Sequence, residues 1–315
     1  MKVAMVSAHF ELDGDDIPIG GVQRHISRVS AALKERGHEV IWTYPGRHIH
    51  RDVVTRVESA VEWADAVVMH DFCSWCVPDK PNLMVFHGWE GVCPPNPPII
   101  RRRQEIARAA GATIAVGAFI PKWYRHEVDE VIWGAADPPA SEEAAMEVEP
   151  DLAVWVGRLE RDTGCLDVIG WAMRQGFRVE VYGDGPLRIP LEALRDSIPG
   201  AEAILYGIVP DAARHFSRAA IALPSGLLTL LEAQVRGRAC FVTADNALKR
   251  DYWGMHPHRP HDIDLQYDRP PGELSAILDA HQAAACELAS PSQAWAAQQT
   301  WGKVADTYLR LLDAQ

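Results

Sequence analysis

Lys2-Val3-Ala4-Met5-Val6-Ser7, then Gly20-Gly21, then Val22, Ile26, Val29 and Leu33, then Gly37 and His38-Glu39-Val40-Ile41-Trp42 decide the fold. The first run is short and apolar, which predicts a strand buried on both faces. Val22, Ile26, Val29 and Leu33 recur at steps of 4, 3 and 4, so they share one helix face. Gly37 stands where a helix C-cap is expected, and residues 38–42 read as the next strand. A strand, a glycine-bearing loop, a helix and a second strand form a unit that builds parallel sheets.

The alternation continues outward from that unit. Ala66 to Met69, Leu83 to Phe86 and Ala112 to Val116 read as strands, and Ile100 to Ala110 as a helix. The pattern breaks near Gly134-Ala135-Ala136-Asp137-Pro138-Pro139, and an acidic Ala/Glu/Pro-rich stretch runs on to Pro150. A second series then opens with Leu152 to Val156, Arg178 to Tyr182, Ala203 to Gly207, Ile221 to Pro224 and Cys240 to Thr243 as strands. Trp301, Val304, Tyr308 and Leu311 predict a closing helix. The expectation is an N-terminal domain over 1–138, a linker over 139–150, a second domain over 151–290 and a final helical segment over 291–315.

Composition limits the function classes. The chain has 315 residues, 48% hydrophobic and 23% charged, which suits a packed α/β protein and excludes disorder and a disulfide scaffold. The 31 basic and 43 acidic residues leave a net charge of −12, a poor basis for broad nucleic-acid binding. The N-terminal apolar run is too short for a signal core, and no run of about 20 apolar residues is present. With six cysteines in a long chain, the expectation is free thiols in a reducing cytoplasm. No amphipathic basic helix announces a membrane surface; peripheral membrane association is compatible with the sequence, stable insertion is not.

Several residues stand where chemistry belongs. Gly20-Gly21 opens the first helix, where backbone N–H groups and the helix dipole favour a phosphate; a tight turn is the plain alternative. The spacing is not GxGxxG, which argues against a dinucleotide site. Arg158, in Val156-Gly157-Arg158-Leu159, ends the corresponding strand of the second half and can fork onto a diphosphate, with Arg161 nearby; two surface arginines are the alternative. Glu232 can accept hydrogen bonds from a ribose diol, or be a solvated helix side chain. His87 ends a buried strand and points to a sugar hydroxyl or to a satisfied core histidine. Cys73 and Cys76 form a lone CxxC, with Cys93 and His70 as remote partners, so buried thiols are favoured over metal. His256, His258 and His261, followed by Asp262 and Asp264, read as a solvated loop before a metal site. Arg101-Arg102-Arg103 is either an exposed helix start or a contact for an anionic acceptor.

Taken in order, these pieces resemble the family 4 glycosyltransferases of the GT-B fold over nearly the whole chain. The matching stretches are Gly20-Gly21-Val22, His87-Gly88, Val131 to Asp137, Gly157-Arg158-Leu159, Gly183-Asp184-Gly185-Pro186, Tyr206 to Pro210, Leu223-Pro224-Ser225, Leu230 to Ala233 and Trp301 to Ala305. The resemblance implies two Rossmann-like, doubly wound parallel-sheet domains facing a cleft, with the final segment 291–315 crossing back to the first domain. It also implies a hexosyl- or pentosyltransferase that takes a nucleotide-diphosphate sugar, a uridine diphosphate sugar foremost, as co-substrate. It implies retention of configuration, no metal and no cofactor. By the same resemblance His87 and Arg158 are catalytic. The donor falls to Gly20, Gly21, Arg158, Arg161, Gly183, Gly185, Ser225, Gly226, Leu227 and Glu232; Glu90 and Arg101 to Arg103 face the acceptor. The acceptor stays open among glycans, lipid carriers, small metabolites and modified nucleobases, and the oligomeric state stays open too.

Two departures from the family pattern stand out. Thr163 occupies the place of a lysine, leaving Arg161 as the candidate second cation. Pro224 stands eight positions before Glu232, where the family carries a first glutamate, and Ser225-Gly226 runs straight into Leu227-Leu228-Thr229. This reads as a short deletion in the loop that contacts the transferred sugar. The alternatives are therefore a weak or inactive nucleotide-sugar-binding protein, or a GT-B epimerase using His87 and Glu90 as acid and base.

Overall fold

Val3, Ala4, Met5 and Val6 are all at most 1% exposed, which is possible only when a strand is flanked by strands and covered on both faces. In the computed structural model this strand, β1 (Lys2–Ser7), pairs in parallel with β2 (Glu39–Thr43) and with β3 (Ala66–His70). The structure describes residues 1–7, 20–43, 51–71, 79–89, 92, 95–262 and 290–315.

The chain divides into two compact units. The first comprises Met1–Gly134 with Thr300–Gln315, and the second Ala135–Gln299. The first unit adds β4 (Asn82–Phe86), β5 (Ala112–Val116) and β6 (Glu130–Ile132), giving a six-stranded parallel sheet of order β2-β1-β3-β4-β5-β6. Between its strands lie α1 (Gly21–Glu35), α2 (Arg51–Trp63), α3 (Pro97–Ala109) and α4 (Phe119–Tyr124). Helix α1 buries Ile26, Val29 and Leu33, and it stops at Gly37, whose φ of 81° lets the Gly37 and His38 amides reach back to Lys34 and Leu33. Helix α3 begins three residues before the sequence pattern suggests. Its first two residues are prolines, which are preset for a first turn, and the Asn96 side chain accepts from the Ile99 amide.

The second unit holds α5 (Ser141–Ala144), β7 (Glu149–Val156), α6 (Cys165–Arg174), β8 (Arg178–Tyr182), α7 (Arg188–Ser197) and β9 (Ala203–Gly207). It continues with β10 (Ala219–Pro224), α8 (Leu227–Gln234), β11 (Ala239–Val242), α9 (Ala247–Gly254), β12 (His261–Asp262) and α10 (Pro291–Ala296). Its sheet runs β12-β11-β10-β7-β8-β9. Read from β9 and counted from the unit's own first strand, that order is 3-2-1-4-5-6. The core behind it is built on fully buried Trp155, Ile169, Val181, Ile221 and Phe241.

Two boundaries differ from the sequence expectation. The stretch 139–150 belongs to the second unit: α5 forms within it, Glu143 pairs with Arg236 at 2.7 Å and accepts from Ser217 at 3.0 Å, and β7 already starts at Glu149. The segment 291–315 is two helices. α10 stays with the second unit and α11 (Trp301–Asp313) with the first. Each has its own cap, Ser290 accepting from Gln293 and Thr300 from Lys303, and this separates them. Among the described residues, no helix is long and apolar enough to cross a membrane.

Candidate active site

In a doubly wound sheet the loops diverge where the strand order reverses, and ligands bind there at the carboxyl ends. In the second unit that point lies between β7 and β10, whose ends are in register at Val156 and Pro224. Gly157-Arg158 leaves one strand and Ser225-Gly226 the other. A Cβ on Gly157 would lie 2.0 Å from Ser225 Oγ, so the two loops touch because residue 157 has no side chain.

The same logic explains Gly183 and Gly185, which follow β8. Their φ values are 142° and 155°, and a Cβ on either would run into the carbonyl oxygen of Gly157 at 1.9 Å or of Leu159 at 2.5 Å. The Leu159 amide donates to the Asp184 carbonyl at 2.9 Å. These glycines hold the Arg158 loop down on the sheet end.

The Arg158 side chain is half exposed. Its fork meets Glu160 at 2.7 Å and Asp162 at 2.9 Å. Partial burial alone would lower its pKa; the two carboxylates outweigh that and raise it, so the cation is permanent. Arg161 is exposed on the following turn. Thr163 folds its hydroxyl back onto the Glu160 carbonyl at 2.7 Å and the Arg158 carbonyl at 3.1 Å, fastening the loop.

Helix α8, capped by Gly226, starts with its amides engaged. Gly226 N–H donates to Thr229 Oγ1 at 3.1 Å, and Leu227 N–H donates to the buried Tyr252 hydroxyl at 2.8 Å. Burial pushes the Tyr252 pKa far up, so the hydroxyl keeps its proton. Glu232 is buried at 3% exposure, and its backbone carbonyl accepts from Arg236 at 2.9 Å. Burial alone would raise the pKa of Glu143, the carboxylate on the other side of that guanidinium. Hydrogen bonding and charge from Arg236 hold it below the usual range.

The first unit has its own reversal, between β1 and β3. Strand β3 ends in His70, His87 directly follows the end of β4 at Phe86, and α1 brings His25 against both histidines. His70 Nδ1 lies 2.9 Å from His87 Nε2, and His25 Nε2 lies 2.8 Å from the Tyr308 hydroxyl on α11. Trp301, also on α11, meets the His25 ring edge-on at 5.4 Å. Asp71, in the left-handed region at φ 54°, accepts the amides of His87 and Gly88 at 2.8 and 3.2 Å. Gly20, with φ 97°, caps α1 and is exposed, as is Gly21.

Arg101 to Arg103 do not act together. Arg101 is exposed, Arg102 pairs with Glu105 at 3.5 Å, and Arg103 is 1% exposed. The Arg103 guanidinium lies 3.6 Å from Asp71 and stacks on Tyr124 at 4.8 Å. A helix turns 100° per residue, so three consecutive arginines point three ways and the expected basic surface run is broken. Glu90, Cys73, Cys76, Cys93 and Asp264 lie outside the described residues. His256 and His261 pack against Trp295 and Phe241, and among the described residues no group of metal-ligating side chains could hold an ion.

The structure thus collects Gly157, Arg158, Gly183, Gly185, Ser225, Gly226 and Leu227 at one sheet end, and His87 at that of the other unit. Tyr252, Asp162 and His25 carry no functional expectation from the sequence, Thr163 only that of a missing lysine, and His70 only that of a remote partner to the CxxC. For the histidines a signal existed. His25 lies three residues after Val22 on the buried face of α1, and His70 closes a strand as His87 does.

No family model matches the chain, and no curated protein matches it. Solved structures do. AviGT4, a glycosyltransferase involved in avilamycin A biosynthesis, is similar over 99% of this chain and 97% of its own, with TM-score 0.68 and 17% identity. A glycosyltransferase from Rickettsia africae ESF-5 is similar over 100% and 99%, with TM-score 0.66 and 13% identity. Anabaena Alr3699/HepE, solved in complex with UDP and glucose, is similar over 100% of both chains, with TM-score 0.64 and 13% identity. The likeness is one of fold, and the fold is GT-B.

Proposed function

We propose that the chain is a glycosyltransferase that moves a sugar from a nucleotide diphosphate, uridine diphosphate foremost, to an acceptor hydroxyl, with retention and without a metal. The observation that supports it most is the placement of Arg158 at the strand reversal of a 3-2-1-4-5-6 sheet, beside the start of α8. HepE, with the same fold, was solved with UDP and glucose bound.

In this reading the departing diphosphate is neutralised by Arg158 and by the positive end of α8. Arg158 would have to exchange Glu160 and Asp162 for phosphate oxygens. Those carboxylates are about two-fifths exposed, so the pairs are worth about 0–1 kcal/mol each. A diphosphate, with more charge and bidentate geometry, outbids them. The first α8 amide is held by Tyr252, so α8 acts through its dipole unless that hydroxyl swings away. His87 would orient the sugar and Glu232 the ribose.

Transfer from a panel of nucleotide sugars tests the reading. Arg158→Ala is expected to lower kcat/KM at least tenfold, about 1.4 kcal/mol of transition-state stabilisation. Unchanged turnover removes the arginine from the mechanism. In a thermal-shift screen, the correct nucleoside diphosphate at 100 times its Kd adds about 2.7 kcal/mol of stability.

One observation favours a second reading, a nucleotide-sugar-binding protein without turnover. Thr163 ties up loop carbonyls where the resembling family carries a cation. Calorimetric binding with no transfer to any acceptor would select it.

A further inference from the structure

We propose that His70 is a positioning residue that dictates which proton state His87 offers to a ligand. The proposal rests on the reading of His87 as the residue facing the donor sugar.

The geometry leaves His87 little freedom. Its backbone is pinned through Asp71, which takes the amides of His87 and Gly88. Its ring lies beside that of His70, with centroids 5.2 Å apart and planes 28° apart. His25 stands edge-on against it, centroids 4.7 Å apart and planes at 81°, and is itself held by Tyr308. The Nε2 of His87 is committed to Nδ1 of His70 at 2.9 Å. The ring nitrogen left for a sugar hydroxyl is therefore Nδ1.

Two neutral imidazoles joined in this way share one proton between the facing nitrogens. If His70 Nδ1–H donates, His87 carries its proton on Nδ1 and donates to the ligand. If His87 Nε2–H donates, Nδ1 of His87 is bare and accepts from the ligand. The tautomer of His70 thus selects the role of His87 from a position that touches no substrate. Both rings have pKa values pushed well below the ordinary histidine range, first by burial, so neutral forms meet at working pH.

Nitrogen-15 correlation spectra of the histidine rings in the full chain read this directly. In the wild type, His87 is expected to show a single tautomer with a hydrogen-bonded Nε2. His87 exchanging between tautomers, or a free Nε2, would overturn the proposal without any variant. His70→Phe, which keeps the ring but removes the nitrogen, is expected to change the His87 pattern. His70→Asn, whose amide sits where Nδ1 sits, is expected to restore it. An identical His87 pattern in His70→Phe also overturns the proposal. In the enzyme assay His70→Phe should lower kcat/KM for the intact nucleotide sugar about tenfold, with the Kd of the nucleoside diphosphate alone unchanged; equal losses in both mark a merely structural role. If the spectra behave as expected while the wild type turns over no nucleotide sugar, the transferase reading fails and the histidine pair stands.

Discussion

Lowering the pH from 6.5 to 5.0 is expected to destabilise the first unit through His25, His70 and His87, with His87 alone, pushed down to about 3, contributing about 2 kcal/mol. All three pKa values are depressed. Burial is the main cause in each; His87 adds to it for the other two, and Arg103 adds to it for His87, which is pushed down to about 3. The sign follows from proton counts. Below pH 6.5 an unfolded chain protonates these rings more readily than the folded chain does, so acid favours unfolding, for His87 throughout the window from 6.5 towards 3. With His25 and His70 shifted in the same direction, the first unit should lose more than the His87 contribution alone over this interval. The second unit has His256, pushed down to about 4 by burial, and the partly buried His215, lowered first by burial, and should yield less steeply. Urea titrations at the two pH values, with proton uptake measured by calorimetry in two buffers, check this. Uptake below one proton on unfolding at pH 5.0 would show that the cluster is not held neutral.

Gly183→Ala should cost about 3 kcal/mol or more and should weaken nucleotide binding with it. The added methyl would meet the Gly157 carbonyl oxygen at 1.9 Å, backbone against backbone, at a φ of 142° that side chains avoid. Relief requires moving Gly157, and Arg158 moves with it. Gly176→Ala is the control: φ is 86°, but nothing lies within 4 Å, so only the left-handed backbone cost of about 1–2 kcal/mol applies. Chemical denaturation of both variants separates the contributions. If Gly183→Ala is no worse than Gly176→Ala, the close approach of the two loops is not what residue 183 serves.

Much of this molecule is local and so was readable. Strands β1 and β10, and β7 from Leu152 onward, carry continuous apolar runs, because parallel strands are covered on both faces; β8 instead alternates, with Glu180 buried at 1% exposure. The stripes of α1 and α11 and the glycine after α1 follow from helix geometry. Arg158 could be placed at a strand end by counting. Helix α2, with its mixed charges, and α4, only six residues long, gave no comparable pattern.

The sequence alone determined that two parallel-sheet halves exist, and that Gly157-Arg158, Ser225-Gly226 and His87 sit at strand ends, since periodicity and turn chemistry act over a few residues. Tertiary structure alone decided what those residues touch. The contacts of His25 with Tyr308 and of Leu227 with Tyr252 span 283 and 25 positions. Arg103 was turned inward, away from Arg101, because Asp71 at the end of β3 and the Tyr124 ring wait there for a cation. Such pairings depend on which strands become neighbours, and that is settled when the whole sheet assembles.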